Sequence, residues 1–597
     1  MKEADARRIL AQAREHQQQQ DYAKAEVGYR SVLRHFPRSA NAHFLLARTL
    51  EAQGQVKPAI AAYERAVDLD PKATNALLSL GALLVRANHS GRAIAVLQRL
   101  VEMRPEDPPG WTVLSRAYFH NNDLIKAAEA ASRGLELKPD FADAHKSLAR
   151  AHYRQGLIEE AVAGYRKAIE LAPNDADAFE TLLAVIHFSA KATATEIADL
   201  HREWSRRFAD ALMPSEPPPV VEKARLRVGF VSPDLRRHPV SYFLESLFEK
   251  RDAQAYDVVC YGDVPAPDDL TEKLKSLSTS WRNIYRRSDQ DLAKQIREDG
   301  IDILIDLTGH TTQNRLLAFA RKPAPVQATW IGYLNGTGMR AVDYLICDRV
   351  TVPDEDAARL YVETPLRMPD CLSCYTPLPN APPVAPTPAL KNGYPTFGCF
   401  NQISKVTDEV IAVWSDILRR VPDARFVMRT KALKDAETRE RIHAAFAGHG
   451  IDRARIDLLP PGSQLEMLQS YSLMDVALDP FPTAGGTTTC ESILMGVPVV
   501  SYAGDRFSCR ISASYLNSVN LEGLIAKDIP SYIDLAQRAV KDIPRLQRAR
   551  AGLRDRMMRS PLTNASRFAE SFAAALNTMW RYRDRSSRPR IVDVERT

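Results

Sequence analysis

At 597 residues the chain has room for about three to five domain-sized units. With 26% charged and 45% hydrophobic residues it reads as ordinary globular protein rather than disorder, and a net charge of +6, from 80 basic against 74 acidic residues, does not argue for nucleic acid as a partner. There is no long uncharged apolar run of the kind that spans a bilayer, and the opening "MKEADARRILAQAREHQQQQ" is a charged helix rather than a signal peptide, so a cytoplasmic protein is expected.

The first third repeats. Pro37, Pro71, Pro105, Pro139 and Pro173 recur every 34 residues, with Ala25, Ala59, Ala93, Ala127 and Ala161 and Leu46, Leu80, Leu114, Leu148 and Leu182 at the same period. Gly54, Asn88, Asn122 and Gly156 mark a turn inside each unit. Small Ala lets two helices approach, Leu fills their shared core, and Pro stops the second helix, so the segment is expected to be a tetratricopeptide-type α-solenoid over residues 1–195, with a capping helix near 176–192. Such a solenoid offers a groove for a peptide or protein; a spacer, or an arm that makes a homodimer, is the alternative. Residues 196–225, with the Pro-rich stretch 211–224, are expected to be a linker.

Short apolar runs then alternate with helical segments. "LRVGFV" (226–231), "YDVVCYG" (256–262), "IDILIDLTG" (301–309), "VQATWIGY" (326–333) and "DYLICD" (343–348) suit buried parallel strands. The pattern restarts with "TFGCFNQ" (396–402), "ARFVMRT" (424–430), "RIDLLP" (455–460), "DVALD" (475–479) and "VPVVSYAG" (497–504). Two Rossmann-like halves, 226–385 and 386–583, are predicted, with the loops after 231, 309, 333, 402 and 479 converging on one cleft. Neither opening strand is followed by G-x-G-x-x-G, which counts against a nicotinamide or flavin enzyme. "SPLTNASRFAESFAAALNTMW" (560–580) reads as a capped amphipathic helix, and residues 584–597 as a disordered tail.

The most informative stretch is "DVALDPFPTAGGTTTCESILMGVPVV" (475–500), a buried strand, a Gly-Thr turn and a helix opening in one run. Gly485 and Gly486 free the backbone, and Thr487 to Thr489 place hydroxyls and N–H groups at a helix mouth, where an anionic diphosphate fits without a metal. An ordinary strand-turn-helix with a Thr cap is the alternative. The seven scattered cysteines make no disulfide framework, and the single C-x-x-C of Cys371 and Cys374 lacks the second ligand pair of a zinc site.

Together "GFVSPDLRRHPV" (229–240), the 306–333 segment, "FNQISK" (400–405) and the 475–500 run resemble the catalytic region of the O-linked N-acetylglucosamine transferases, a family that includes the SPINDLY-type fucosyltransferases and joins tetratricopeptide repeats to a two-domain GT-B glycosyltransferase. The resemblance implies an inverting, metal-independent transfer of a sugar from a nucleotide diphosphate to Ser or Thr of a protein, with no cofactor beyond the nucleotide sugar. By the same resemblance Lys405 offsets charge on the leaving diphosphate, Gln402 contacts the nucleotide, Thr487 and Thr488 hold the diphosphate, and Glu491 binds the ribose hydroxyls. His238 belongs to the active site, with Asp234 as an alternative base, and His310, Thr311, Gly332 and Tyr333 line the sugar and acceptor side. The chain departs from the animal members at Gly486 and Met467, where they carry His, and from the family's usual pattern at Leu334 and Asn335, where a Pro follows the Tyr, and near Trp281, where another family His is replaced. Their groove Asn gives way here to Leu45, Ser79, Val113, Ser147 and Thr181. N-acetylglucosamine from its uridine diphosphate is the expected donor, fucose from its guanosine diphosphate the alternative, and a non-catalytic scaffold or a transferase for small or lipid-linked acceptors the remaining readings.

Overall fold

In the computed structural model, which describes residues 2–216 and 218–595, the 34-residue period becomes helix pairs. Helices Glu3–Gln18 and Tyr22–His35, Ala40–Ala52 and Val56–Leu69, Thr74–Arg86 and Ser90–Met103, and Pro108–His120 and Leu124–Leu137 make successive units, followed by Ala142–Gln155 and Ile158–Leu171. Ala25, Ala59, Ala93 and Ala127 are fully buried where the paired helices meet. The turn inside each unit takes the left-handed conformation, with φ of 61° at Gln20, 73° at Gly54, 61° at Asn88 and 62° at Asn122, a conformation that Gly and Asn adopt most readily and that the first unit holds on Gln20. Residues up to Gln155, together with Glu160–Asp175, form one compact unit; Gly156–Glu159 and the chain from Ala176 onward form a second.

The second unit begins with the helices Ala176–Ile186 and Ala194–Trp204, the latter continuing through a π turn, Ser205–Ala209, and a 3-10 turn, Asp210–Leu212. This corrects two expectations: the segment 176–195 groups with the sheets rather than with the solenoid, and most of the expected linker 196–225 is helical as far as Leu212. The reason is local. Thr193 caps Glu196 N–H at 3.2 Å, and Ile197, Ala198, His201 and Trp204 fall on one buried face.

The first sheet contains β1 (Leu226–Ser232), β2 (Tyr256–Gly262), β3 (Ser280–Asn283), β4 (Ile303–Asp306), β5 (Val326–Thr329), β6 (Tyr344–Cys347) and β7 (Thr364–Arg367). The second contains β8 (Thr396–Cys399), β9 (Arg425–Arg429), β10 (Ile456–Leu459), β11 (Val476–Leu478), β12 (Val499–Tyr502) and β13 (Ile525–Ala526); β14 (Val592–Asp593) returns to the first. The orders are β14-β7-β6-β5-β4-β1-β2-β3 and β10-β9-β8-β11-β12-β13, parallel at each recorded pairing. Each order reverses once, between β1 and β4 and between β8 and β11, and in open parallel sheets the crevice at that point binds ligands. Helix Ala565–Arg581, capped by Asn564, crosses back to the first sheet, where Phe572 stacks on Phe230 and Phe568 on Trp330. The halves meet through Phe243 stacked on Tyr515 at 5.9 Å and through Arg510, whose guanidinium donates to Asp356 at 2.6 Å.

The expected disordered tail is also corrected. Val592 and Asp593 pair with Leu366 and Arg367, and Arg585 donates to the buried Asp343 at 2.9 Å. Arg588 lies 4.4 Å over the Tyr344 ring. Arg side chains that read as solvated in sequence thus find an acid and an aromatic face, while Arg596 and Thr597 lie outside the described residues. The seven cysteines are buried free thiols, and no helix among the described residues is long and apolar enough to cross a membrane.

Candidate functional site

The crevice between β8 and β11 is built from the loops that leave them. After β8 the chain makes a 3-10 turn, Ile403–Lys405, which swings the Lys405 ammonium to the Ala484 carbonyl at 2.5 Å. After β11 the buried Asp479 turns back on its own loop: one carboxylate oxygen accepts the Gly485 N–H at 2.7 Å and the other the Ser501 hydroxyl at 2.7 Å. A Cβ on Gly485 would stand 2.3 Å from Thr489 Oγ1 and 2.9 Å from Asp479 Oδ1, so the loop closes this tightly only on glycine. Gly486 is different: nothing lies within 4 Å of where its Cβ would be, and it caps helix Thr487–Leu494 with an open face in front of it.

The two loops are tied across the crevice, since Thr488 Oγ1 donates to Asn401 Oδ1 at 2.9 Å. Thr489 and Ser512 hydroxyls lie 2.7 Å apart beneath them. Thr487 and Thr488 remain half-buried at the helix mouth, where the first N–H groups have no intrahelical acceptor, and Gln402 is exposed beside them. Burial lowers the Lys405 pKa and raises that of Asp479, while their mutual attraction opposes both shifts. Glu491, on the next turn of the helix, is pushed up to about 7 by burial and lies 3.5 Å from the Tyr471 hydroxyl. The lining is therefore cationic and rich in N–H and hydroxyl donors, with one carboxyl poised near neutrality.

On the facing half, His238 caps helix Pro239–Lys250, its Nδ1 accepting the Val240 N–H at 3.4 Å and lying 3.5 Å from Asp234 Oδ2. Burial lowers the His238 pKa and raises that of Asp234, each opposed by the other's charge, so the imidazole is neutral at neutral pH. Further along this helix the Tyr242 hydroxyl accepts from Gln464 of the second half at 3.4 Å, and Phe243 stacks on Tyr515. The helix that carries His238 is thereby docked on the half that carries Glu491.

The residues expected on the sugar and acceptor side divide. Thr311, whose hydroxyl donates to Thr308 O at 2.9 Å, and Gly332 are half-buried at strand ends. Gly332 is fixed by contact, because a Cβ there would fall 1.7 Å from Leu307 O. His310 and Tyr333 do not line an open cleft: they are 1% and 5% exposed. Tyr333 Oη lies 2.7 Å from His201 Nε2, 3.1 Å from His187 Nε2 and 3.0 Å from Leu183 O, and His310 Nε2 lies 2.8 Å from Thr337 O. The correction follows from the helices 176–204, which cover these strand ends. Asn401, Asp479, Tyr471 and Tyr242 were missed by sequence reasoning; the "LDP" after β11 and the polar "FNQ" after β8 carry the signal for the first two.

Comparison with known proteins fits this geometry. The profile described as Glycosyl transferase family 41 matches residues 196–373 and 389–572, and tetratricopeptide-repeat profiles match 10–74, 52–117 and 122–176. Over 413 residues, 67% of this chain and 44% of the relative, the sequence is 40% identical to the probable UDP-N-acetylglucosamine–peptide N-acetylglucosaminyltransferase SPINDLY of Arabidopsis thaliana. It is 29% identical over 369 residues to the SEC protein of the same plant, which bears the same enzyme description, covering 60% of this chain and 37% of that one. The chain spans less than half the length of these curated relatives. A solved structure of a point mutant of the Thermobaculum terrenum O-GlcNAc transferase superposes with a TM-score of 0.80 at 35% identity, covering 86% of this chain and 98% of that one.

Proposed function

The chain belongs to glycosyl transferase family 41, and from that membership we propose that it transfers a sugar from a nucleotide diphosphate to Ser or Thr hydroxyls of protein acceptors, with the repeats recruiting the acceptor. N-acetylglucosamine carried on uridine diphosphate is the proposed donor, in keeping with the descriptions of its relatives. The observation that carries the reading is the crevice at β8 and β11, where Lys405, the Asp479-clamped Gly485 and the mouth of helix Thr487–Leu494 converge. An ammonium and free backbone donors are the charge that a departing diphosphate needs, which makes a metal-independent transfer chemically sufficient.

In this mechanism the acceptor hydroxyl oxygen attacks the anomeric carbon from the face opposite the diphosphate. The bond from that carbon to the diphosphate oxygen breaks, the configuration inverts, and the hydroxyl proton passes to the His238–Asp234 pair. Lys405 and the Thr487 and Thr488 donors hold the charge that accumulates on the leaving group. Glu491 accepts the ribose hydroxyls.

Thermal stabilisation against a panel of nucleotide diphosphates and nucleotide sugars tests the site. One nucleotide is expected to raise the melting temperature, by an amount equivalent to about 2.7 kcal/mol at a hundredfold excess over its dissociation constant, and both Lys405→Ala and Thr487→Ala should shrink that shift. Folded protein that responds to no donor would sink the transferase reading in favour of a binding scaffold.

A further inference from the structure

The repeat period carries a second pattern that the helix-packing residues do not account for. One residue of each first helix recurs as Arg14, Arg48, Ala82, Arg116 and Arg150, and one turn further on as Gln18, Ala52, Arg86, His120 and Arg154. Every first helix from Glu3–Gln18 to Ala142–Gln155 thus presents at least one Arg at one of two adjoining register positions, and where Ala82 breaks the first row Arg86 supplies the charge in the second. None of these side chains is buried. Packing selects Ala and Leu at its own positions in this array; nothing about helix pairing selects Arg at these.

The structure brings the rows together as a lane. Arg14 and Arg48 both act on the Tyr29 hydroxyl, and Arg48 also acts on Tyr63, so the first two units present their charges to one place. His120, exposed at the end of its helix, is held below its ordinary pKa by partial desolvation and then by Arg150, Arg116 and Arg154, which gathers four basic side chains from two successive first helices. Phe119 lies beneath this group, with the guanidinium carbons of Arg150 and Arg154 at 6.0 and 5.5 Å from its ring centre, and Phe44 lies 6.0 Å from Arg48. Arg86 is met by Glu51, but Arg14, Arg48 and Arg154 have no carboxylate in salt-bridge range among the described residues. Arg154 is oriented by a neutral partner, donating to Asn122 Oδ1 at 3.2 Å. Like charges gathered over aromatic faces repel one another at a cost in stability, and a line of ligand carboxylates removes that cost.

We propose that this lane is the docking surface for an acidic, extended peptide segment, so that the acceptors recruited by the repeats are marked by Asp and Glu. The inference deepens the reading of the repeats as the acceptor-recruiting part and rests on it for the word acceptor. Spacing the charges on successive units requires an extended ligand, and the aromatic floor lets its side-chain stems lie against Phe119 and Phe44 while carboxylates meet the guanidinium groups.

The test uses the full chain and three labelled peptides of equal length built from Glu and Ser, Gln and Ser, or Lys and Ser, with a single-stranded RNA oligonucleotide as a further probe. Fluorescence anisotropy is expected to show the Glu peptide binding at least about tenfold tighter than the Gln peptide, with affinity falling as ionic strength rises. Charge reversal of Arg116→Glu with Arg150→Glu should weaken the Glu peptide by about tenfold or more and leave the nucleotide-induced melting shift unchanged. If that variant does not fold, Arg48→Gln with Arg154→Gln is the milder pair and should produce a smaller loss in the same direction. Equal binding of the Glu and Gln peptides, no loss in a folded variant, or tighter binding of the RNA than of the Glu peptide would each overturn the proposal. A Glu peptide that binds but accepts no sugar on its Ser residues would leave the docking surface standing and count against the acceptor reading alone.

Discussion

Glu491 shows how far burial alone sets the chemistry of a single group. Its pKa near 7 means that close to half the population carries a proton at neutral pH, and only the ionised form accepts two ribose hydroxyls well. The sign is fixed by the direction of the shift: lowering the pH below about 7 adds the proton and removes the acceptor, so donor affinity should fall on the acid side and plateau above pH 7. Titration calorimetry across that range checks it; Glu491→Gln should flatten the profile, and an unchanged profile would remove Glu491 from the donor site. Thr487 and Glu491 are singled out because they stand in one continuous run that reads as strand, turn and helix, whereas Lys405, in the separate loop after β8, is singled out only through the family resemblance. Asn401 and Asp479 are not: Asp479 reads only as the end of a buried strand until the Gly485 N–H and the Ser501 hydroxyl are placed on its carboxylate, and Asn401 takes its place at the crevice through a partner in another loop. Asn401 receives Thr488 across the β8–β11 crevice, and that adjacency exists only once the strand order is known.

At the scale of elements, the helices 176–204 are where sequence and structure diverge most. Apolar periodicity located Ala176–Ile186, yet its continuation into Ala194–Trp204 hides behind a face that includes a histidine and a tryptophan, and the Pro-rich run that follows suggested a linker. What the helices do is lay His187 and His201 against Tyr333 and His310. Burial lowers the His201 pKa to about 4 and holds His187 and His310 well below the ordinary value; Arg202, Arg506 and the neighbouring imidazoles reinforce the direction. A histidine whose folded pKa lies below its unfolded value of about 6.5 takes up its proton on unfolding. Its contribution is therefore fully present above pH 6.5 and is lost as the pH falls, for His201 over the window from there towards 4 at about 1.4 kcal/mol per pH unit, with His187 and His310 adding in the same direction. The melting temperature of the full chain should decline over that window, and His201→Gln should decline less steeply; parallel profiles would show that the cluster does not report on folding. Ten strands are legible in their apolar runs, whereas β3, β7, β13 and β14 are not. β13 and β14 have only two residues each, β7 contains Pro365, and β3 is a half-buried polar edge, so none shows the apolar run that marks the buried strands.

For the molecule as a whole, two kinds of regularity were readable for different reasons. The solenoid announced itself because a 34-residue period repeats the same small set of packing residues, and the doubly wound halves did so because buried parallel strands are apolar along their whole length. The returning tail was not readable, since Arg585 and Arg588 look solvated until the buried Asp343 is placed opposite them. The central claim is that Lys405 and the Thr487 helix mouth serve sugar transfer to protein. Its most direct test incubates the full chain with isotopically labelled nucleotide sugar and a library of Ser- and Thr-containing peptides, and maps any label by mass spectrometry. The account predicts a sugar linked to Ser or Thr oxygen by the unaltered chain, reduced by about a hundredfold or more in folded Lys405→Ala. Donor binding with release of free sugar alone, or equal labelling by Lys405→Ala, would contradict it.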